Sequence, residues 1–449
     1  MDSTLTGFIG RGDGDSLARA RHRLTALLVL IMLCATVAAG RGHAQAVARV
    51  NPTTLDGRLI FGFQVWFGCP GDPPGAGRPW PHWFIHNRVS TTTAVTDFLP
   101  DVSSLPANER CPTGLVSRAG GPIAVFSDQN SATVLRQFQD MRAHNLDGVA
   151  VQRFVISITS DQMRMWTNRV LANVRNAAES TGRVFFVQYD IAGASAADWD
   201  TRILADWLSL LRDQHLGESS AYLHHRGRLV LALTGPGMKG PRPATPERTL
   251  ALMAALRQES LPYGGVTLLG TVPRSWRTLN DDALTDPRWA QVYRSYDVIS
   301  PWMVGSYSTD AEISADIARR LIPDLAETKR LGIDYMPGVF PGFSWANLMN
   351  EPSRRNQIPR RCGRFLWSQA TQFKAAGVTM MFGAMYDEAN EGTAFFPLVA
   401  RAVDTPELPV YLALDADGCA LPSDWYLQIA NQITRSLRGE SASFPIVAP

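Results

Sequence analysis

The run MYDEANEGTA, Met385 to Ala394, places Asp387, Glu388 and Glu391 within five positions. It lies between two apolar stretches, TMMFGA and FFPLVA, in a chain of which only 19% is charged. Glu388 and Glu391 are three apart, and in a helical turn their Cβ atoms would sit roughly 5–6 Å from each other. Repulsion at that range raises one pKa, so one carboxyl can keep a proton at neutral pH while the other is charged. Cleavage of a glycosidic bond needs such a pair: an acid for the leaving oxygen and a partner on the other side of the bond. The same acids would also suit a solvated loop ahead of a helix, where they stabilise its dipole. Spacing alone leaves both readings open.

What could position these groups is read from the apolar pattern. Eight runs read as buried strands: 59–67, 148–156, 183–190, 228–235, 265–272, 296–304, 334–340 and 379–386. Helical periodicity fills 131–145, 161–180, 196–213, 246–259, 311–331 and 363–376, and Ser423 can cap a last helix near 424–437. Strands alternating with helices predict an α/β fold, a (β/α)8 TIM barrel, with an open doubly wound sheet as the alternative. Eight runs, and no Gly-rich phosphate loop after the first, favour the barrel. The acidic run then follows the eighth strand, at the end where such barrels hold their chemistry.

Other residues at the same strand ends are Trp66, Gln152, Arg153, Gln188, Tyr189, Asp190, Thr234, Arg274, Trp276, Trp302, Phe340, Phe343, Tyr386 and Asp387. Aromatic faces among amides, carboxylates and Arg suit a carbohydrate, whose CH-rich faces stack on rings and whose hydroxyls need directed partners. Core packing is the competing reading for any single Trp. Residues 68–129 are too long for a plain barrel loop and rich in Pro, Gly and aromatics. They predict an ordered, aromatic-rich cap after the first strand.

Composition narrows the remaining classes. The formal charge of +2 is matched by residues 1–46, which hold five Arg against three Asp, so the remainder is neutral. That gives no electrostatic case for a nucleic-acid or anionic-membrane partner. Arg19, Arg21 and Arg23 precede an apolar run, 24–39, and an AQA site at 44–46. This predicts a cleaved export signal over 1–46 and a secreted or periplasmic protein, with an uncleaved anchor as the alternative. One catalytic domain over 47–437 and a tail over 438–449 follow. Beyond Cys34, the chain has Cys69, Cys111, Cys362 and Cys419, enough for two disulfides in three connectivities. Cys69 with Cys111 would brace the long loop, and Cys362 with Cys419 would tie down the C-terminal segment. No cofactor or metal is expected: zinc-type spacings are absent, LDADG at 414–418 lacks further calcium ligands, and G-x-S-x-G does not occur.

YDEANEGTAFFP (386–397) resembles the E-x-x-E-G-T segment after the last barrel strand of glycoside hydrolase family 99, the endo-α-mannosidase and endo-α-mannanase family. WFGCP…WPHWF, VFSDQNSATVLRQFQDMRAHNLDGVAVQRF and TLNDDALTDPRWAQVYRSYDVISPWMVG are similar to bacterial family 71/99-like proteins often labelled xylosidase/arabinosidase. The similarity extends over most of 58–430, including LDADGCALPSDWYL. The resemblance implies a retaining hydrolase in which Glu391 is the general acid/base and Glu388 deprotonates the sugar 2-hydroxyl, giving a 1,2-anhydro sugar. It also implies that His82 and Trp83 line the glycone pocket. Three departures bear on substrate identity. Asp387 stands where the family has Asn or His, Ala389 where it has an aromatic, and Gln152-Arg153-Phe154 where it tends to have Ser-Trp. Mannose specificity is therefore not carried over, and Asp387 has no assigned role. A glycan-binding protein without turnover on the same barrel is the alternative.

Overall fold

The computed structural model describes residues 49–73, 79–85 and 88–446. The expected export signal over 1–46 lies outside the described residues. Eight parallel strand positions form the central wall: β1 (Leu59–Phe63), β2 (Gly148–Phe154), β3 (Val184–Asp190), β4 (Arg228–Thr234), β5 (Val266–Val272), β6 (Val298–Pro301), β7 in two pieces (Asp334–Tyr335 and Gly338–Val339) and β8 (Met381–Gly383). β1, β3 and β5 are buried along their whole length, as expected of strands packed on both faces.

The split in β7 lets the wall close. Pro337 has no N–H to give, so the strand breaks there. Its first piece pairs with β6 (Asp334 opposite Val298) and its second with β8 (Gly338 opposite Phe382). β8 in turn pairs with β1, and β1 with β2, which completes a (β/α)8 barrel. Helices α1 (Ser131–Ala143), α2 (Asp161–Thr181), α3 (Trp199–Arg212) and α4 (Pro246–Glu259) follow the first four strand positions. Their starts follow local chemistry: Asn130, Ser160 and Thr245 accept first-turn amides, and Pro246 fits the first helical position. Segment 311–331 forms one helical path, Asp310–Asp316 and Ile322–Leu331, joined by a π turn at Ile317–Leu321. The last helix, Trp425–Leu437, is not capped by Ser423. Asp424 stands at its N-cap, and its side chain faces His144 instead, 3.0 Å from Nε2.

The long segment after β1 is ordered around its aromatics. It contains an antiparallel hairpin, Cys111–Val116 with Pro122–Val125, and its base is closed by the Cys69–Cys111 disulfide. Cys362 and Cys419 form the second disulfide, and both pairs have Cα atoms 6.1 Å apart. No helix among the described residues is long and apolar enough to cross a membrane.

Candidate active site

Past Gly383 the β8 backbone runs to the acidic segment beside the end of β1. The Tyr386 amide donates to the Gly62 carbonyl at 2.7 Å. Asp387 then accepts two amides from the β1 exit, Gln64 N at 2.8 Å and Val65 N at 2.9 Å. Both of its oxygens are used and it is fully buried, so its role is to lock two strand ends together. This corrects its expected place in the substrate surface. The chain leaves Glu388 through a turn, not the helical turn the spacing suggested: Thr393 N donates back to Glu388 O at 3.0 Å. Gly392 lies in the left-handed region at φ +66°, and a Cβ there would sit 2.9 Å from Ser344 N, so the turn requires glycine. Arg360 fixes the turn from below, donating to Gly392 O and Ala394 O while its guanidinium stacks between Phe98 and Tyr426.

Gln64 Nε2 donates to Glu388 Oε2. Burial raises the Glu388 pKa well above the ordinary carboxylate range. Glu391 adds to that rise, as do Asp387 and Asp190, while the Gln64 donor opposes it. Burial pushes Glu391 up to about 7, and the Trp345 indole beside it favours the charged form without a well-aligned hydrogen bond. Asp190 accepts from Gln152 Nε2 at 2.8 Å and from Ala192 N at 2.7 Å, and burial raises its pKa too. Two neighbouring carboxyls that hold protons this strongly release them one at a time. The two therefore titrate as a coupled pair, and burial keeps both above the ordinary carboxylate range.

Beside the acids stands a stack of three rings. Trp66 lies parallel to His82 at 3.9 Å and 5°, with Phe154 on its other side at 5.5 Å and 12°. Gln188 faces inward as well, donating to Thr234 Oγ1 at 2.8 Å. The stack, Gln64 and Gln152 border a cavity of about 380 Å³. Trp302 follows β6 and is half-buried.

Other expected residues point elsewhere. Arg153 and Tyr189 lie on the outer faces of β2 and β3, where both reach Asp206 of α3. Side chains alternate along a strand, so the neighbours of inward Gln152 and Gln188 must face the helices. Trp276 is fully buried, with its indole donating to Asp324 at 3.0 Å. Arg274 ties the loop after β5 to the segment after β6, reaching Ser306 O at 3.2 Å and Asp316 at 3.5 Å. Trp83 packs on Phe67 at 3.9 Å and donates to Phe126 O, so it forms the core of the cap and not its lining. Tyr386 is enclosed by Phe61, Phe63 and Phe396. No group of three His, Cys, Asp or Glu among the described residues is placed to hold a metal ion.

Sequence reasoning does not single out Gln64, Trp345 or Arg360, and notes Phe154 only within the Gln-Arg-Phe departure. For Gln64 a signal exists, as the one polar residue within LIFGFQVWF. Trp345 meets Glu391 only through the tertiary fold.

No protein-family model and no curated protein matches the chain. Its fold does match solved structures. The endo-α-mannosidase of glycoside hydrolase family 99 from Bacteroides thetaiotaomicron, in complex with BIS-TRIS-Propane, is 15% identical with a TM-score of 0.61, over 86% of this chain and 98% of that one. A second structure of that enzyme gives 15% and 0.60, over 86% and 99%. The structure of a glycoside hydrolase-like protein gives 11% and 0.50, over 78% and 98%. At these identities the likeness is one of fold.

Proposed function

We propose that this chain is a glycoside hydrolase whose acid/base pair is Glu391 and Glu388. The observation that carries the reading is the pair itself: two buried glutamates on a braced turn after β8, with Glu391 pushed up to about 7 and Glu388 raised by burial and by Glu391 beside it. The fold shared with family 99 endo-α-mannosidase structures adds to it.

In the proposed reaction Glu391 gives its proton to the leaving oxygen and later takes one from water. Glu388 removes the proton of the 2-hydroxyl, whose oxygen attacks the anomeric carbon and expels the leaving group. Water then attacks the anomeric carbon of the 1,2-anhydro sugar while Glu388 returns its proton to O2, so configuration at the anomeric carbon is retained. A carboxylate with a raised pKa is the stronger base once it is charged, which suits abstraction from a hydroxyl. Gln64 donates to the charged form of Glu388 and so keeps it accessible above neutral pH. The stack of His82, Trp66 and Phe154, in which both faces of Trp66 are covered, offers an aromatic border for a sugar. The two disulfides fit an exported protein. Mannose as the substrate is not part of the proposal.

One observation favours the second reading, a glycan-binding protein without turnover. Glu388 is surrounded by three other carboxyls, and burial holds its pKa well above the ordinary carboxylate range, which opposes the charged form that a base needs. A screen of α-mannans, arabinans, xylans and bacterial-envelope glycans above pH 7, with product anomers followed by proton NMR, separates the two. Release of a sugar with retained configuration supports hydrolysis. Saturable binding to a glycan that is never cleaved supports the second reading.

A further inference from the structure

The cavity beside the acids has interior walls made for something other than sugar. Its long wall is α2, where Met163, Trp166, Val170 and Leu171 share one face and, at 1.5 Å per residue, span about 12 Å. Val151 of β2 and Val187 of β3 form the opposite wall. At its rim end the Oε1 atoms of Gln64 and Gln152 and the Trp66 indole N–H lack hydrogen-bond partners, whereas the polar groups deeper in are engaged. Arg153 is held by Asp206 and Asn168, and the Thr167 hydroxyl donates to backbone carbonyls of its own helix. A sugar hydroxyl placed among these walls would lose its water partners without gaining others. A hydrocarbon chain would lose nothing.

The volume of about 380 Å³ is far above the few water-sized voids of a close-packed interior. It exceeds the roughly 150 Å³ at which an apolar cavity stays dry and takes up a small apolar guest. The mouth is at the barrel rim. Ile156, 47% exposed, stands there with Ser157, Trp66 and His82. Gln64 borders the cavity and also donates to Glu388, so the opening is one side chain from the proposed base.

We infer that the slot between α2 and the outer face of β2 and β3 binds a single hydrocarbon chain, an acyl or alkyl substituent carried by the glycan at the rim. The chain lies along α2 with its free end toward Leu171. Its attachment to a glycan rests on the proposed function, but binding of the chain itself does not.

Hexyl, octyl and decyl β-D-glucopyranosides, titrated calorimetrically below their micelle-forming concentrations, test this with glucose as the reference. Affinity should rise about fourfold per added methylene while the slot fills, the factor for burying one CH₂, and level off once the chain exceeds it. Thr167→Phe at the half-buried mouth, and Val170→Phe deeper in, should flatten that rise, with folding checked by circular dichroism. Should Val170→Phe fail to fold, Thr167→Phe and crystallographic density for the decyl chain decide. No dependence on chain length, or one that Thr167→Phe leaves unchanged, overturns the inference. Repeating the titration with Glu388→Gln separates the two readings. A retained chain-length dependence without turnover leaves the slot standing whatever becomes of the hydrolase, and glycan turnover without it leaves the hydrolase alone.

Discussion

Gln152 and Arg153 are neighbours on β2, as Gln188 and Tyr189 are on β3, yet the members of each pair belong to different parts of the molecule. The glutamines face the barrel interior, where their amide groups donate to Asp190 and Thr234. Their Oε1 atoms, and that of Gln64, are buried without a hydrogen-bond partner. Arg153 and Tyr189 face α2 and α3 in a network with every partner in place: Arg153 bonds both oxygens of Asp206 at 2.6 and 2.7 Å and Asn168 at 2.6 Å, and Tyr189 donates to Asp206 at 2.5 Å. Burial and the Asp206 charge hold the Tyr189 hydroxyl well above its usual pKa. The outer set is saturated and serves the fold. The inner set keeps unmet acceptors and serves the rim. Residue type does not separate them, but strand parity does.

That comparison breaks first at Asp206. Asp206→Ala leaves the buried Arg153 charge uncompensated and should cost about 3–5 kcal/mol in urea unfolding. A loss below about 1 kcal/mol would mean that the outer network is not structural. Asp387→Ala strips the partners from Gln64 N and Val65 N, with an expected loss of about 1–3 kcal/mol in the same assay. Because Gln64 then loosens, turnover should fall further than stability explains. Gln152→Ala, on the inner side, should cost only about 1 kcal/mol of stability while weakening glycan binding. An equal or larger loss of stability than Asp206→Ala would erase the distinction. The smallest effect is on pH dependence. Burial holds Glu388, the proposed base, well above the ordinary carboxylate range, so the acid limb of kcat/KM should lie well above pH 4. Gln64→Leu removes a donor to charged Glu388, which raises that pKa and should move the limb to higher pH. A limb near pH 4 would contradict the electrostatics of the site.

The barrel is legible in the sequence because each buried parallel strand leaves a near-continuous apolar run, and even the Pro337 break falls inside an expected strand. The cap is legible as well, since aromatics such as Trp80 and Trp83 in 68–129 could not remain in water. The two acids are legible from their spacing and from what precedes them. The fate of their neighbours is not. Position along the chain groups the strand-end residues, but facing depends on a register that no local pattern near Trp276 or Arg274 supplies. Asp387 illustrates the limit most clearly: its partners lie 323 and 322 residues away, and neither they nor it form a motif. Gln64 could have been found as a polar residue in an apolar strand. Trp345 could not, because nothing in its own loop points to Glu391.

The central claim is that Glu388 and Glu391 act as one acid/base pair. Its most direct test compares the wild type with Glu388→Gln and Glu391→Gln on whichever glycan the wild type cleaves. The account predicts that each variant stays folded and binds that glycan, while its turnover drops by about 10²–10⁴-fold. Wild-type rates in both variants would contradict it.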